Sequence, residues 1–170
     1  MQKAEVKERL KKITNFIFDV DGVMTDGTLG SLASGEMFRT FHVRDGYAFE
    51  RAVNAGYRIC IITGGNQEGV QKRMEYLKIK DLYMGSGGKS KLSIYEKYIA
   101  ENNIPEAEIM YMGDDIPDLE VMAKPDLLST APKDAVDEIL KVANYISTKK
   151  GGRGAVREVI EMVMKARGDW

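Results

Sequence analysis

Six short apolar runs alternate with amphipathic stretches along the chain, and this alternation limits the fold more than any other feature. The runs cover residues 13–19, 57–63, 81–84, 109–113, 126–129 and 144–147. Each is short and bounded by turn residues, as a buried strand is. Between them, residues 46–55 and the segments "NQEGVQKRMEYLKI", "KLSIYEKYIAENN", "PDLEVMAK" and "PKDAVDEILKVA" carry helical patterns, and "GAVREVIEMVMKARG" closes the chain. Strand–helix alternation predicts an α/β fold with a parallel sheet covered on both faces. The handedness of the crossovers makes that sheet doubly wound. Residues 25–43 break the rhythm with two short extended patterns around "ASGE", read as a β-hairpin inserted after the first strand. It is too small for a second domain, so residues 1–170 are expected to form one.

Composition narrows the partners. A net charge of -1 gives no electrostatic reason to expect nucleic acid or an anionic membrane surface. No apolar run reaches the ~18 residues of a spanning helix. A single cysteine, Cys60, excludes an internal disulfide and suits a reducing compartment. A cytoplasmic protein is expected.

In an open α/β sheet, ligands bind beyond the carboxyl ends of the strands. After the first strand come Asp19 and Asp21, after the second Thr63 in "IITGG", after the third "GSGGKSK" with Lys89 and Lys91, and after the fourth "GDDIPD" with Asp114, Asp115 and Asp118. Asp19 and Asp21 lie two apart and share a direction in extended chain, and Gly22 permits a sharp turn. Carboxylates from two strand ends suit Mg²⁺, which takes one or two of them plus waters and phosphate oxygens. An ionised aspartate beside such a cation is a nucleophile for phosphoryl transfer. A second carboxyl can protonate the leaving oxygen and then activate water. Each piece also has a plainer reading: turn chemistry for "DVDG", and a helix start capped by Asp115 for "GDDIPD". Capping and metal binding can coexist.

"FDVDGVMTDG", "IITGG", the lysine after the third strand and "GDDIPD" resemble the four motifs of the haloacid dehalogenase superfamily of phosphatases. "FHVRDGYAFERAV", "YMGDDIPDLEVM" and "KKGGRGAVREV" narrow the resemblance to its phosphatases of 3-deoxy-D-manno-octulosonate 8-phosphate (KDO 8-phosphate), over about residues 13–164. The resemblance implies a Rossmann-like fold with only the hairpin and no cap domain. It implies a Mg²⁺-dependent hydrolase of a sugar-acid phosphate in lipopolysaccharide synthesis. It also implies a homotetramer whose neighbouring hairpins help close each site. Position by position, Asp19 is the implied nucleophile, and Asp21 the acid/base that also offers its backbone carbonyl to Mg²⁺. Asp114 completes the metal ligands, and Thr63 and Gly64 meet the phosphoryl group. Counting from Gly85 selects Lys89 over Lys91 as the active-site lysine, with Asp115 orienting it and Asp118 in support.

One position departs from the pattern. Many relatives carry an arginine after "TG", placed to meet a sugar-acid carboxylate, where this chain has Gly65 and then Asn66. Arg44 and Arg153 are the expected substitutes, with "KGGRG" near the substrate. The plain alternative for "GGRGAVRE" is a flexible turn with Arg157 solvated. His42 is read as structural or as a rim contact, and Cys60 as packing. A phosphatase of a nonulosonate 9-phosphate is the nearest alternative. A phospho-accepting receiver domain fits less well, because its acceptor aspartate follows the third strand, where this chain has "YMGSGGK". A non-catalytic sugar-phosphate-binding protein leaves the intact set of carboxylates, hydroxyl and lysine unexplained.

Overall fold

Phe16 and Phe18 face one side of strand β1 (Asn15–Phe18) and Ile17 faces the other, and all three are fully buried. That is the alternation of a strand covered on both faces. The computed structural model describes residues 3–85 and 89–170. Around β1, the parallel strands β4 (Arg58–Thr63), β5 (Asp81–Met84), β6 (Ile109–Met112), β7 (Leu128–Ala131) and β8 (Tyr145–Ile146) build one six-stranded sheet. Its order is β5-β4-β1-β6-β7-β8, so β1 pairs with β4 on one side and β6 on the other. The expected doubly wound sheet is therefore present, with its order reversing at β1, where a binding crevice is expected.

Two apolar layers sandwich the sheet. Phe16, Phe18, Ile59, Ile61, Met110 and Met112 pack against α1 (Lys3–Leu10), α2 (Val43–Asn54), α3 (Glu68–Tyr76) and α7 (Ala155–Arg167). Ile17, Cys60, Ile62 and Tyr111 pack against α4 (Lys91–Asn102), α5 (Leu119–Met122) and α6 (Asp137–Val142). Each fully buried side chain of this size contributes about 1.5–3 kcal/mol. Cys60 is buried among them as a packing residue.

The strand expected at 126–129 runs two residues later, at Leu128–Ala131. Pro125 and Asp126 are exposed. The polar residues that look like a strand end are inside the ladder because their hydroxyls are satisfied. Thr130 Oγ1 donates to the Tyr111 carbonyl at 3.0 Å and Ser129 Oγ to that of Val142 at 3.3 Å. The hairpin forms as expected, with β2 (Gly30–Ser31) antiparallel to β3 (Met37–Phe38).

Candidate active site

The carboxyl ends of β1 and β6 bring three carboxylates together. Asp19 follows β1, and its N–H extends the ladder by donating to the Met112 carbonyl at 3.1 Å. Asp114 follows β6, and Asp118 returns through a single 3₁₀ turn, Ile116–Asp118. One oxygen from each of the three lies within 4.8 Å of the others. Glycines make this crowding possible. A Cβ on Gly22 (φ +86°) would sit 1.9 Å from Asp114 Oδ2, and one on Gly113 would sit 2.4 Å from the Asp118 Cβ.

The lysine that balances the cluster is Lys91, which corrects the expectation of Lys89. Lys91 Nζ is 3.0 Å from Asp19 Oδ1 and 2.8 Å from Asp118 Oδ1. Lys89 is exposed and lines a separate cavity with Leu82, Tyr83 and Met84. The reason is helical geometry. Residues 91, 95 and 98 share one face of α4, and buried Tyr95 and Tyr98 dock that face on the sheet, carrying Lys91 inward. Counting from Gly85 crosses residues 86–88, which lie outside the described residues.

The group that orients the lysine is likewise Asp118, in place of Asp115. Asp118 is fully buried, and it accepts from Lys91 Nζ, from the Tyr111 hydroxyl at 2.5 Å and from the Asp114 N–H at 3.3 Å. Asp115 is exposed and caps the 3₁₀ turn, its Oδ1 accepting from the Ile116 N–H at 2.8 Å. The capping expected of it is present.

The electrostatics ask for a cation. Burial, followed by the Asp19 and Asp118 charges, pushes the Asp114 carboxyl up to about 8. Burial and the Asp118 charge raise Asp19 as well, against the pull of Lys91. Burial works to lower the Lys91 ammonium, but the charges of Asp19 and Asp118 prevail and raise it. Asp114 Oδ1 is buried without a hydrogen-bond partner. Three carboxylates against one ammonium, with an orphaned oxygen, fit a hard divalent ion. Asp118 spends its oxygens on donors, so Asp19 and Asp114 are the carboxylates open to such an ion.

Asp21 points elsewhere. Its carboxylate is gripped by a residue that sequence reasoning missed, Arg39, with Nε 2.5 Å from Oδ1 and Nη2 2.8 Å from Oδ2. Thr63 is buried at the end of β4, where its hydroxyl accepts from the Gly65 N–H at 3.1 Å. Gly64 beside it is exposed, with open space where a side chain would start.

The chain is similar in sequence and fold to known proteins. No family model matches the chain. The 3-deoxy-D-manno-octulosonate 8-phosphate phosphatase of Yersinia pestis is 37% identical over 163 residues, 96% of this chain and 86% of that protein. That of Escherichia coli strain K12 is 36% identical over 165 residues, 97% and 86% of the two. The chain belongs to this phosphatase family of the haloacid dehalogenase superfamily. A crystal structure of the Moraxella catarrhalis family member, in complex with magnesium ion, phosphate ion and KDO, superposes with a TM-score of 0.92 at 30% identity. It covers 98% of this chain and 94% of its own.

Among the residues expected of a family member, two lie apart from the acid cluster. Arg44 and Arg153 line a basic cavity of about 680 Å³ with His42, Lys149, Arg157 and Lys165, and no member of the cluster borders it. Arg153 is exposed and pairs with Asp26 at 2.9 Å. Arg157 pairs with Glu161 at 3.1 Å. His42 stands at the N-cap position of α2 with Nδ1 3.7 Å from Asp45 Oδ2, and it also borders this cavity. Residues 151–154 form a turn into α7, and Gly151 and Gly152 are buried in it. A Cβ on Gly151 would meet the Gly22 carbonyl oxygen at 1.8 Å, and the Gly152 N–H donates to the Val23 carbonyl at 2.9 Å. They support the loop that carries Asp19 and Asp21.

Proposed function

We propose that the chain is a Mg²⁺-dependent phosphomonoester hydrolase that releases phosphate from KDO 8-phosphate. The observation that carries this reading is the Asp19–Asp114–Asp118 cluster balanced by Lys91, in a chain more than a third identical to named KDO 8-phosphate phosphatases. Asp19 is the nucleophile. One of its oxygens bonds to phosphorus as the ester P–O bond breaks, and the departing sugar oxygen takes a proton from the Asp21 carboxyl, which gains that proton from solvent once it is free of Arg39. Water then attacks the phosphorus of the aspartyl-phosphate and yields its proton to Asp21, freeing inorganic phosphate and Asp19. Thr63 donates to a phosphoryl oxygen from the end of β4. Lys91, aimed by Asp118, offsets the charge of Asp19 and of the incoming phosphate. Asp19, Asp114 and the Asp21 carbonyl would hold the Mg²⁺, which would supply charge neutralisation for the carboxylates and the phosphoryl oxygens.

The strand-end site is open, and an acyl-phosphate needs shelter. The hairpin leaves Leu29, Leu32 and Phe38 about half exposed. These apolar side chains support the tetramer in which neighbouring hairpins close each site. No helix among the described residues is long and apolar enough to cross a membrane. A lone buried thiol supports a cytoplasmic location.

The test is phosphate release with Mg²⁺ from KDO 8-phosphate, a nonulosonate 9-phosphate, hexose phosphates and p-nitrophenyl phosphate. A dominant kcat/KM for KDO 8-phosphate, lost in Asp19→Asn and with a chelator, is expected. Preference for the nine-carbon substrate keeps the mechanism and changes the pathway. Activity surviving Asp19→Asn overturns the covalent step.

A further inference from the structure

Arg39 follows the hairpin's second strand, yet its side chain is only 4% exposed. Two of its nitrogens grip Asp21, and the third, Nη1, donates to Gln67 Oε1 at 2.7 Å. Gln67 in turn stands at the N-cap position of α3, and its Oε1 accepts from the Asn66 N–H at 3.2 Å. One guanidinium thus joins the loop after β1, the hairpin and the loop after β4.

The glycine at 65 makes this possible. A Cβ there would come within 3.0 Å of both Arg39 Nη2 and Gln67 Oε1, and 3.4 Å from the Thr63 hydroxyl. Arg39 Nη2 and the Thr63 hydroxyl therefore both border the space left at Gly65. Gly64 leaves the adjoining space open, with nothing within 4 Å of where its side chain would begin. A planar fork of donors matches one carboxylate at a time. In the free chain that carboxylate belongs to Asp21. Both Asp21 oxygens are then occupied, so Asp21 reaches a leaving oxygen only when the fork lets go.

Resting on the reading above, we infer that Arg39 is the specificity-determining residue for the substrate's carboxylate. A sugar-acid carboxylate entering over Gly64 and Gly65 takes the guanidinium in exchange for Asp21, and Asp21 is released toward the phosphate ester. A hexose phosphate carries no carboxylate to make the exchange, and its phosphate is held at the Asp19 end of the site. The hairpin that carries Arg39 thereby connects recognition of the acid to the step at phosphorus.

The experiment compares kcat/KM for KDO 8-phosphate with that for a hexose 6-phosphate, in wild type, Arg39→Ala and Arg39→Lys. The expected result is a selectivity ratio that falls about 10- to 100-fold in Arg39→Ala, the range for losing a charged hydrogen-bonded pair. Arg39→Lys keeps the charge without the fork and falls between. Inhibition by free KDO weakens in Arg39→Ala, and inhibition by inorganic phosphate does not change. Should both substrates lose activity in parallel, with the ratio within about 2-fold of wild type, Arg39 is only structural and the inference fails alone. A wild type inactive on KDO 8-phosphate overturns the functional reading and this inference with it. Where Arg39→Ala does not fold, the Arg39→Lys ratio and its KDO inhibition decide.

Discussion

Lys91 and Asp118 form a 2.8 Å ion pair in which the lysine side chain is 10% exposed and the aspartate not at all. The same ammonium reaches Asp19 at 3.0 Å, so one cation is shared between the proposed nucleophile and the group that aims it. Replacing Lys91 with alanine is expected to lower kcat/KM by about 100- to 1,000-fold, the range seen when one group stabilising a developing charge is lost. Lys89→Ala, changing an exposed side chain, is expected to stay within about 2-fold. Steady-state phosphate release by the two variants makes the comparison. Equal losses in both would remove Lys91 from the site.

The carboxylate cluster predicts how metal-free protein responds to pH. Asp114 is held up to about 8 in the folded chain by burial and by Asp19 and Asp118, against an ordinary carboxyl near 4 when unfolded. Between those values the folded state binds more protons, so its stability is greatest at the acid end and is lost as pH rises toward 8. Thermal melts in a chelator are expected to show Tm lower at pH 8 than at pH 5.5 by at least about 2–4 °C, the equivalent of ~1 kcal/mol in a chain of this size. Mg²⁺ at pH 8 restores Tm. Asp114→Asn raises the metal-free Tm at pH 8 and weakens the response to Mg²⁺. A pH-independent melt that ignores Mg²⁺ would contradict the cluster's electrostatics.

Three glycines separate packing from function. A side chain on Gly151 collides with the Gly22 carbonyl oxygen, and one on Gly22 collides with Asp114 at a positive φ that L residues disfavour. Backbone cannot turn aside as a side chain can, so Gly151→Ala is expected to destabilise by about 1–3 kcal/mol. Gly22→Ala is expected to lose Mg²⁺ response as well as stability. Gly64→Ala, with open space at its Cβ, is expected to leave stability within about 0.5 kcal/mol. Chemical denaturation of the three variants checks the order.

Much of this site is written in local sequence. An apolar run that stops at Asp19, and another that stops before Asp114, place those carboxylates at strand ends because strand periodicity and burial are properties of neighbouring residues. Thr63 follows for the same reason. The helical spacing of Lys91, Tyr95 and Tyr98 also contained the choice of Lys91, since a buried stripe on a helix extends one turn toward its start. Counting along a glycine-rich loop hid it, because loop length does not fix the direction of a side chain.

What only the tertiary structure decided were contacts between segments. The Lys91–Asp118 pair joins residues 27 apart, and the Arg39–Asp21 pair joins residues 18 apart. Nothing in "MFRTFH" distinguishes Arg39 from a solvated hairpin arginine. Its place follows from how the hairpin folds back over the strand ends and from the space left at Gly65. Likewise, Asp115 and Asp118 look alike in "GDDIPD", and it is the 3₁₀ turn against Gly113 that sends one to solvent and the other to the lysine. Sequence sets which residues can be strand, helix and charge, through short-range sterics and hydrophobic period. The partner each buried charge takes depends on long-range packing.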